Sequence, residues 1–203
     1  EYMNKINKIE ELFLESIKVK QDTINDKLLN SIACMADVAA DAIKKGGKIM
    51  LCGNGGSAAD AQHLAAEMLI RLRPDNNREG VPAIALAQDT STITACGNDF
   101  GYEVLYERMV QSLGKKGDVL IGISTSGNSE NILLSMERAK KLGIIVFGFL
   151  GSGGGNAAML CDHAFIVPSH NTGRIQEAHI TAGHALMECI EDLLIENKFL
   201  TLE

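Results

Sequence analysis

The feature that most constrains this chain is a repeated grammar: a short apolar run, a glycine- or serine-rich turn, then a stretch with helical spacing. Lys48-Ile49-Met50-Leu51-Cys52 runs into Gly53-Asn54-Gly55-Gly56-Ser57 and a helix over about 58–71. Further apolar runs occupy 82–86, 119–123, 144–150 and 164–167. Helices are predicted at 102–113, 130–142 and 174–197, with a short one after Gly155. Short apolar strands alternating with helices imply a parallel sheet covered on both faces. Five of them predict an α/β fold with a flavodoxin-like doubly wound five-stranded parallel sheet.

Ahead of the first strand, residues 5–45 read as helical. Ile6, Ile9, Leu12, Phe13 and Ile17 recur at three and four residues, and Leu28, Ile32, Met35, Val38 and Ile43 resume the pattern after a break. Gly46-Gly47 is a helix stop. A chain of 203 residues suits one core with a helical addition. The expected division is therefore helices over 1–46, packing on the core and on an oligomer interface, and the sheet unit over 47–203. The polar stretch 73–80 reads as a surface loop.

Charge and cysteine usage exclude several classes of function. The net charge is −7, which disfavours a broad phosphate-backbone binder and leaves nucleic acid out of the expected partners. No run of about 18 apolar residues exists, so no membrane span is expected, and the charged N-terminus lacks a signal-peptide core. Five scattered cysteines with no CxxC pair read as reduced thiols in a cytoplasmic protein.

In doubly wound sheets ligands bind outside the carboxyl ends of the strands, so the loops there are the places to look for chemistry. Ser124-Thr125-Ser126-Gly127-Asn128-Ser129 follows an apolar strand and opens a helix. Its hydroxyls, backbone N–H groups and helix N-terminus make an anion cradle suited to a phosphate; plain N-capping is the bland alternative. The loop Gly53-Asn54-Gly55-Gly56-Ser57-Ala58 fits GxGxxA, a dinucleotide fingerprint. That use wants an acidic residue ending the next strand, and the segment Ala85-Leu86-Ala87-Gln88 supplies none. A second contact loop for a polar ligand, or a simple tight turn, fits better.

His63 and Glu67 are one helical turn apart and share a face of the helix that leaves this loop. Gln176 and His184 lie eight residues apart on the last helix, about 80° around its axis. If the two helices meet, these four side chains could hold a divalent metal, with zinc favoured by the imidazoles. A carboxylate and an imidazole could equally act as base and acid without a metal. The bland readings are an exposed ion pair for His63–Glu67 and partly buried structural histidines for His179 and His184. Cys52 and Cys161 read as small core residues.

Four separated segments carry a resemblance: Leu51-Cys52-Gly53-Asn54-Gly55-Gly56-Ser57-Ala58, Gly97-Asn98-Asp99-Phe100-Gly101, Gly122-Ile123-Ser124-Thr125-Ser126-Gly127-Asn128-Ser129 and Arg174-Ile175-Gln176-Glu177. In this order they resemble the sugar isomerase (SIS) domain family, and the likeness covers nearly the whole chain. Within that family the resemblance implies an aldose–ketose isomerase acting on sedoheptulose 7-phosphate to give D-glycero-D-manno-heptose 7-phosphate, a precursor of heptose for surface polysaccharide. It implies phosphate binding by Ser124, Thr125, Ser126 and Ser129, and substrate contacts from Asn54, Gly55, Gly56, Asn98, Asp99, Gln176 and Glu67. Glu67 is implied as catalytic base, with His184 as its acid/base partner. One zinc per subunit is implied on His63, Glu67, Gln176 and His184, in a homotetramer whose sites lie at subunit interfaces. Gly173 departs from the family, in which an acidic residue often precedes the arginine. A non-catalytic member that binds a replication initiator, or a phosphosugar sensor, is the alternative.

Overall fold

The computed structural model describes residues 4–86 and 89–202; residues 1–3, the Ala87-Gln88 end of the second strand segment, and residue 203 lie outside the described residues. Two helices come first, α1 (Lys5–Thr23) and α2 (Asp26–Lys44). Each begins at an asparagine whose side chain accepts from a backbone N–H two or three residues on, Asn4 from Ile6 and Asn25 from Leu28, which supplies a partner to an otherwise orphaned donor. The rest alternates as the sequence predicts: β1 (Ile49–Gly53), α3 (Gly56–Leu69), β2 (Ala83–Ala85), α4 (Thr90–Asp99), α5 (Leu105–Leu113), β3 (Val119–Ser124), α6 (Glu130–Lys141), β4 (Ile145–Leu150), β5 (His163–Ile166) and α7 (Thr172–Glu196).

The five strands form one parallel sheet in the order β2-β1-β3-β4-β5. This is the doubly wound order, and the chain reverses its direction of winding between β1 and β3. Alternate strand residues serve opposite faces. Ile49, Leu51, Val119, Ile121, Phe147 and Phe149 pack with α2, α3 and α7, whereas Met50, Cys52, Leu120 and Val146 pack with α5 and α6. The long helix α7 lies along the first face, against α1, α2 and α3.

Two local readings are corrected. The stretch between β2 and Tyr102, where no helix is predicted, holds α4; Asp89 caps it by accepting from Thr92 N–H at 2.7 Å. The short helix expected after Gly155 is there, as a 3-10 helix at Asn156–Met159. Residues 73–80 are not simply a surface loop, because the Arg78 side chain is buried there against Glu191.

Candidate active site

Both glycine- and serine-rich loops lie at the carboxyl ends of β1 and β3, the neighbouring strands at the winding reversal. They are joined to each other. Asn54 and Asn131, the latter in the first turn of α6, exchange two amide hydrogen bonds of 2.9 Å. Tyr102 Oη donates to Asn54 Oδ1 at 2.7 Å, and Tyr106 Oη donates to the Gly53 carbonyl. Asn54 is thus fixed in orientation at the mouth of the β1 loop.

The serine loop is built around its own hydroxyls. Ser124 Oγ accepts from Gly127 N–H at 3.1 Å and lies 3.2 Å from Ser129 Oγ, and Ser126 Oγ accepts from Asn128 N–H at 3.1 Å. Ser129 occupies the N-cap of α6 without spending its side chain on the helix. Gly127 has φ +66°, and a Cβ there would run into the backbone of Gly154. The loop after β4 therefore forms its back wall, tied by Ala157 N–H to the Gly127 carbonyl and by Asn156 N–H to Asn128 Oδ1, both 2.9 Å. The 151–155 glycine run acts as that support.

Helices α3 and α7 do meet. Gly183 packs on Leu64 so closely that a Cβ would stand 2.6 Å from Leu64 Cδ1. Next to that contact, His184 Nε2 comes to 2.8 Å from His63 Nε2, and His63 Nε2 stands 3.3 Å from Glu67 Oε1. The three ligand atoms all lie within 4.8 Å of one another. Gln176, two turns earlier on α7, lays its amide against the backbone of Gly56 at the start of α3. Its neighbour Ile175 packs at Gly151, which the Thr125 carbonyl also approaches, so the first turn of α7 touches the β1 loop and the loop that backs the serine loop.

A tetrahedral zinc with ligand distances of about 2.0–2.1 Å separates its donor atoms by about 3.3 Å. The His63–Glu67 distance already matches, and the two imidazoles need to part by a few tenths of an ångström. The donor set fits a divalent cation of the zinc type.

Other expected residues fall differently. Asn98 and Asp99 end α4, exposed, with Asn98 Nδ2 donating to Asp99 Oδ1 at 2.8 Å; among the described contacts it is Tyr102 that reaches the β1 loop from this segment. Arg174 turns to α1, donating to the Leu12 carbonyl and pairing with Glu15 and Glu177. His179 is structural: Nε2–H donates to the Leu150 carbonyl at 2.8 Å, and burial depresses its pKa to about 4. Cys52 and Cys161 are inert, each thiol pushed up to about 12 by burial. Sequence reasoning passed over Asp60, one turn before His63. Burial pushes its carboxyl up while His63 and His184 pull it down, and its Oδ2 is buried without a hydrogen-bond partner.

The family description "SIS domain" matches residues 12–151, more than half of the chain. The chain belongs to the SIS domain family. Among curated SIS proteins, a phosphoheptose isomerase of Clostridium acetobutylicum is 48% identical, covering 95% of this chain and 97% of its own length. One from Aquifex aeolicus is 47% identical over 94% and 98%. The structure of the Neisseria gonorrhoeae phosphoheptose isomerase superposes with a TM-score of 0.87 at 39% identity, covering 93% of this chain and all of the other. That from Francisella tularensis gives 0.88 at 37% identity. The doubly wound SIS fold and its helical addition are thus shared across essentially full-length chains.

Proposed function

We infer that the protein is a phosphoheptose isomerase, an aldose–ketose isomerase that interconverts sedoheptulose 7-phosphate and D-glycero-D-manno-heptose 7-phosphate. The observation that carries this reading is full-length identity near one half to phosphoheptose isomerases, joined to a histidine–carboxylate cluster beside two ligand-type loops. A purely binding role has no use for that cluster.

The chemistry moves a proton between neighbouring carbons through an enediol. The serine loop takes the phosphate through Ser124, Thr125, Ser126, Ser129 and the N-terminus of α6, which suits a dianion in an acidic protein. Asn54, Gly55, Gly56 and Gln176 line the sugar, and Asn98 and Asp99, exposed at the end of α4, would contact it from outside the β1 loop. Glu67 removes the proton from C1 of the ketose, the C1–H electron pair forms the C1–C2 double bond, and the carbonyl oxygen gains the electrons of its π bond. Return of the proton to C2 completes the aldose. His184 carries the proton between the two oxygens. His63, Glu67, Gln176 and His184 would hold a zinc, which would supply Lewis-acid stabilisation of a developing oxyanion. A carboxylate bound to zinc would be a weaker base, so Glu67 would not serve at full strength as ligand and as base at once.

Several broader features support the cell context. Helix α1 buries only Val19 and exposes Ile6, Ile9, Phe13, Leu14 and Ile17; an exposed apolar row of this kind suits an interface. We read the helices of 1–46 as the addition through which a homotetramer forms on the 47–203 unit. All five cysteines are free, and no helix among the described residues is long and apolar enough to cross a membrane. We place the enzyme in the cytoplasm, with its product feeding heptose to surface polysaccharide.

The test is incubation of the purified protein with sedoheptulose 7-phosphate, with added zinc and with a chelator, following aldoheptose 7-phosphate by NMR. Product that disappears with chelation and returns with zinc supports both reaction and metal. Product indifferent to chelation keeps the isomerase and removes the metal. No product from folded protein sinks the reading.

A further inference from the structure

The last turn of α3 ends beside a buried charge pair that the reaction above does not use. Glu191 sits on α7, seven residues beyond His184 and therefore on nearly the same face, since seven residues turn about 700°. Its side chain and that of Arg78 are both fully buried. Glu191 Oε1 accepts from Arg78 Nε, and Oε2 accepts from Arg73 Nε at 2.5 Å and from Asn76 Nδ2 at 2.9 Å. Burial pushes the Glu191 carboxyl up, but the hydrogen bonds from Arg78, Asn76 and Arg73 outweigh it and hold its pKa below the ordinary range. The other arms of Arg78 return to α3. Nη2 donates to the Glu67 carbonyl at 3.0 Å, and Nη1 donates to the carbonyls of Met68 and Glu79 at 3.1 and 3.0 Å.

The carbonyls of Glu67 and Met68 belong to the last turn of α3, where a helix leaves acceptors without intrahelical partners; Val81 N–H also reaches the Met68 carbonyl, at 2.9 Å. No basic residue lies within that turn, so Arg78 closes it from outside. One guanidinium thus grips the backbone of Glu67 and a carboxylate on the helix that carries His184. A buried ion pair is weak evidence for stability, because desolvation offsets its attraction; fixing a unique geometry is its better-attested use.

We propose that Arg78 and Glu191 are positioning residues, a clamp that sets the separation of Glu67 on α3 from His184 on α7. The inference rests on the reading of Glu67 and His184 as base, acid/base partner and zinc ligands. The planar fork of arginine is essential to it, because a lysine ammonium cannot reach Glu191 and both carbonyls at once.

The test uses the full-length protein stripped of metal and titrated with zinc alone against a chromogenic chelator, together with kcat and KM on sedoheptulose 7-phosphate. Arg78→Lys is expected to weaken zinc binding about tenfold and lower kcat about tenfold, the scale on which supporting groups act at metal sites, with KM within about twofold. Glu191→Gln keeps the volume and one acceptor and moves both quantities the same way; it decides the matter if Arg78→Lys does not fold. Asp118→Asn is the stability control, since Asp118 pairs with Lys48 before β3, at the opposite end of the sheet. The clamp is overturned if both variants keep zinc affinity and kcat near wild type, or if Asp118→Asn lowers them equally for the same loss of Tm. Wild-type protein that neither binds zinc nor turns over the sugar would overturn the reading beneath it, a distinct result.

Discussion

Nε2 of His63 and Nε2 of His184 stand 2.8 Å apart, although the two residues are separated by 121 positions in the chain. At that distance one ring donates to the other, and the same two nitrogens would be the ligand atoms for a bound cation. His184→Ala is therefore expected to lose bound zinc and turnover together, the rate falling about 10²–10⁴-fold. Metal content by mass spectrometry and steady-state kinetics on the same preparation check it; loss of one without the other separates the two roles.

Glu67→Gln preserves shape and removes the base. Turnover should drop by at least about 10²-fold, while the affinity for the sugar phosphate measured calorimetrically stays within a few-fold, because the serine loop is untouched. Activity retained in this variant would dismiss Glu67 as the proton acceptor.

Gly127→Ala tests the back wall of the serine loop. The left-handed φ and the facing Gly154 backbone leave no room for a methyl group, at a cost of about 1–3 kcal/mol of strain. A displaced loop should raise KM about tenfold, equivalent to about 1.4 kcal/mol of binding, with a smaller change in kcat. An unchanged KM would mean that the phosphate is gripped elsewhere.

His179 gives a pH signature unrelated to catalysis. Its folded pKa of about 4 lies below the unfolded 6.5, so the unfolded chain binds the extra proton first as pH falls. The stability it contributes is complete above about pH 6.5 and is lost progressively towards pH 4, by about 3 kcal/mol in full. Urea midpoints of wild type and His179→Gln between pH 7.5 and 5 should show a shallower slope for the variant. Parallel slopes would assign the acid lability to other groups.

The sheet was legible because its strands are short, apolar and separated by loops with distinct chemistry, and parallel pairing follows from the alternation with helices. Helix α4 was hidden because Thr90-Ser91-Thr92-Ile93-Thr94 is polar and β-branched, a poor helix former held by the Asp89 cap. The face shared by His63 and Glu67 was readable from spacing, and so was that of Gln176 and His184. Their meeting was not, since it depends on Gly183 packing on Leu64, a contact with no local signature. The buried role of Arg78 was unreadable for the same reason: within a polar run of charges and asparagines, nothing marks which of the side chains that reach Glu191 is the fully buried one, 113 residues from its carboxylate partner.

The amide pair between Asn54 and Asn131 has a consequence for replacing either residue. Each side chain meets the other's donor and acceptor, one on the β1 loop and one in the first turn of α6. A change at Asn54 leaves Asn131 with two unmet polar atoms almost wholly out of reach of water, and a change at Asn131 leaves the Asn54 amide N–H unmet while Tyr102 still serves its oxygen. The two positions thus act as one unit: replacing both by apolar residues of similar shape should cost less stability than replacing Asn54 alone.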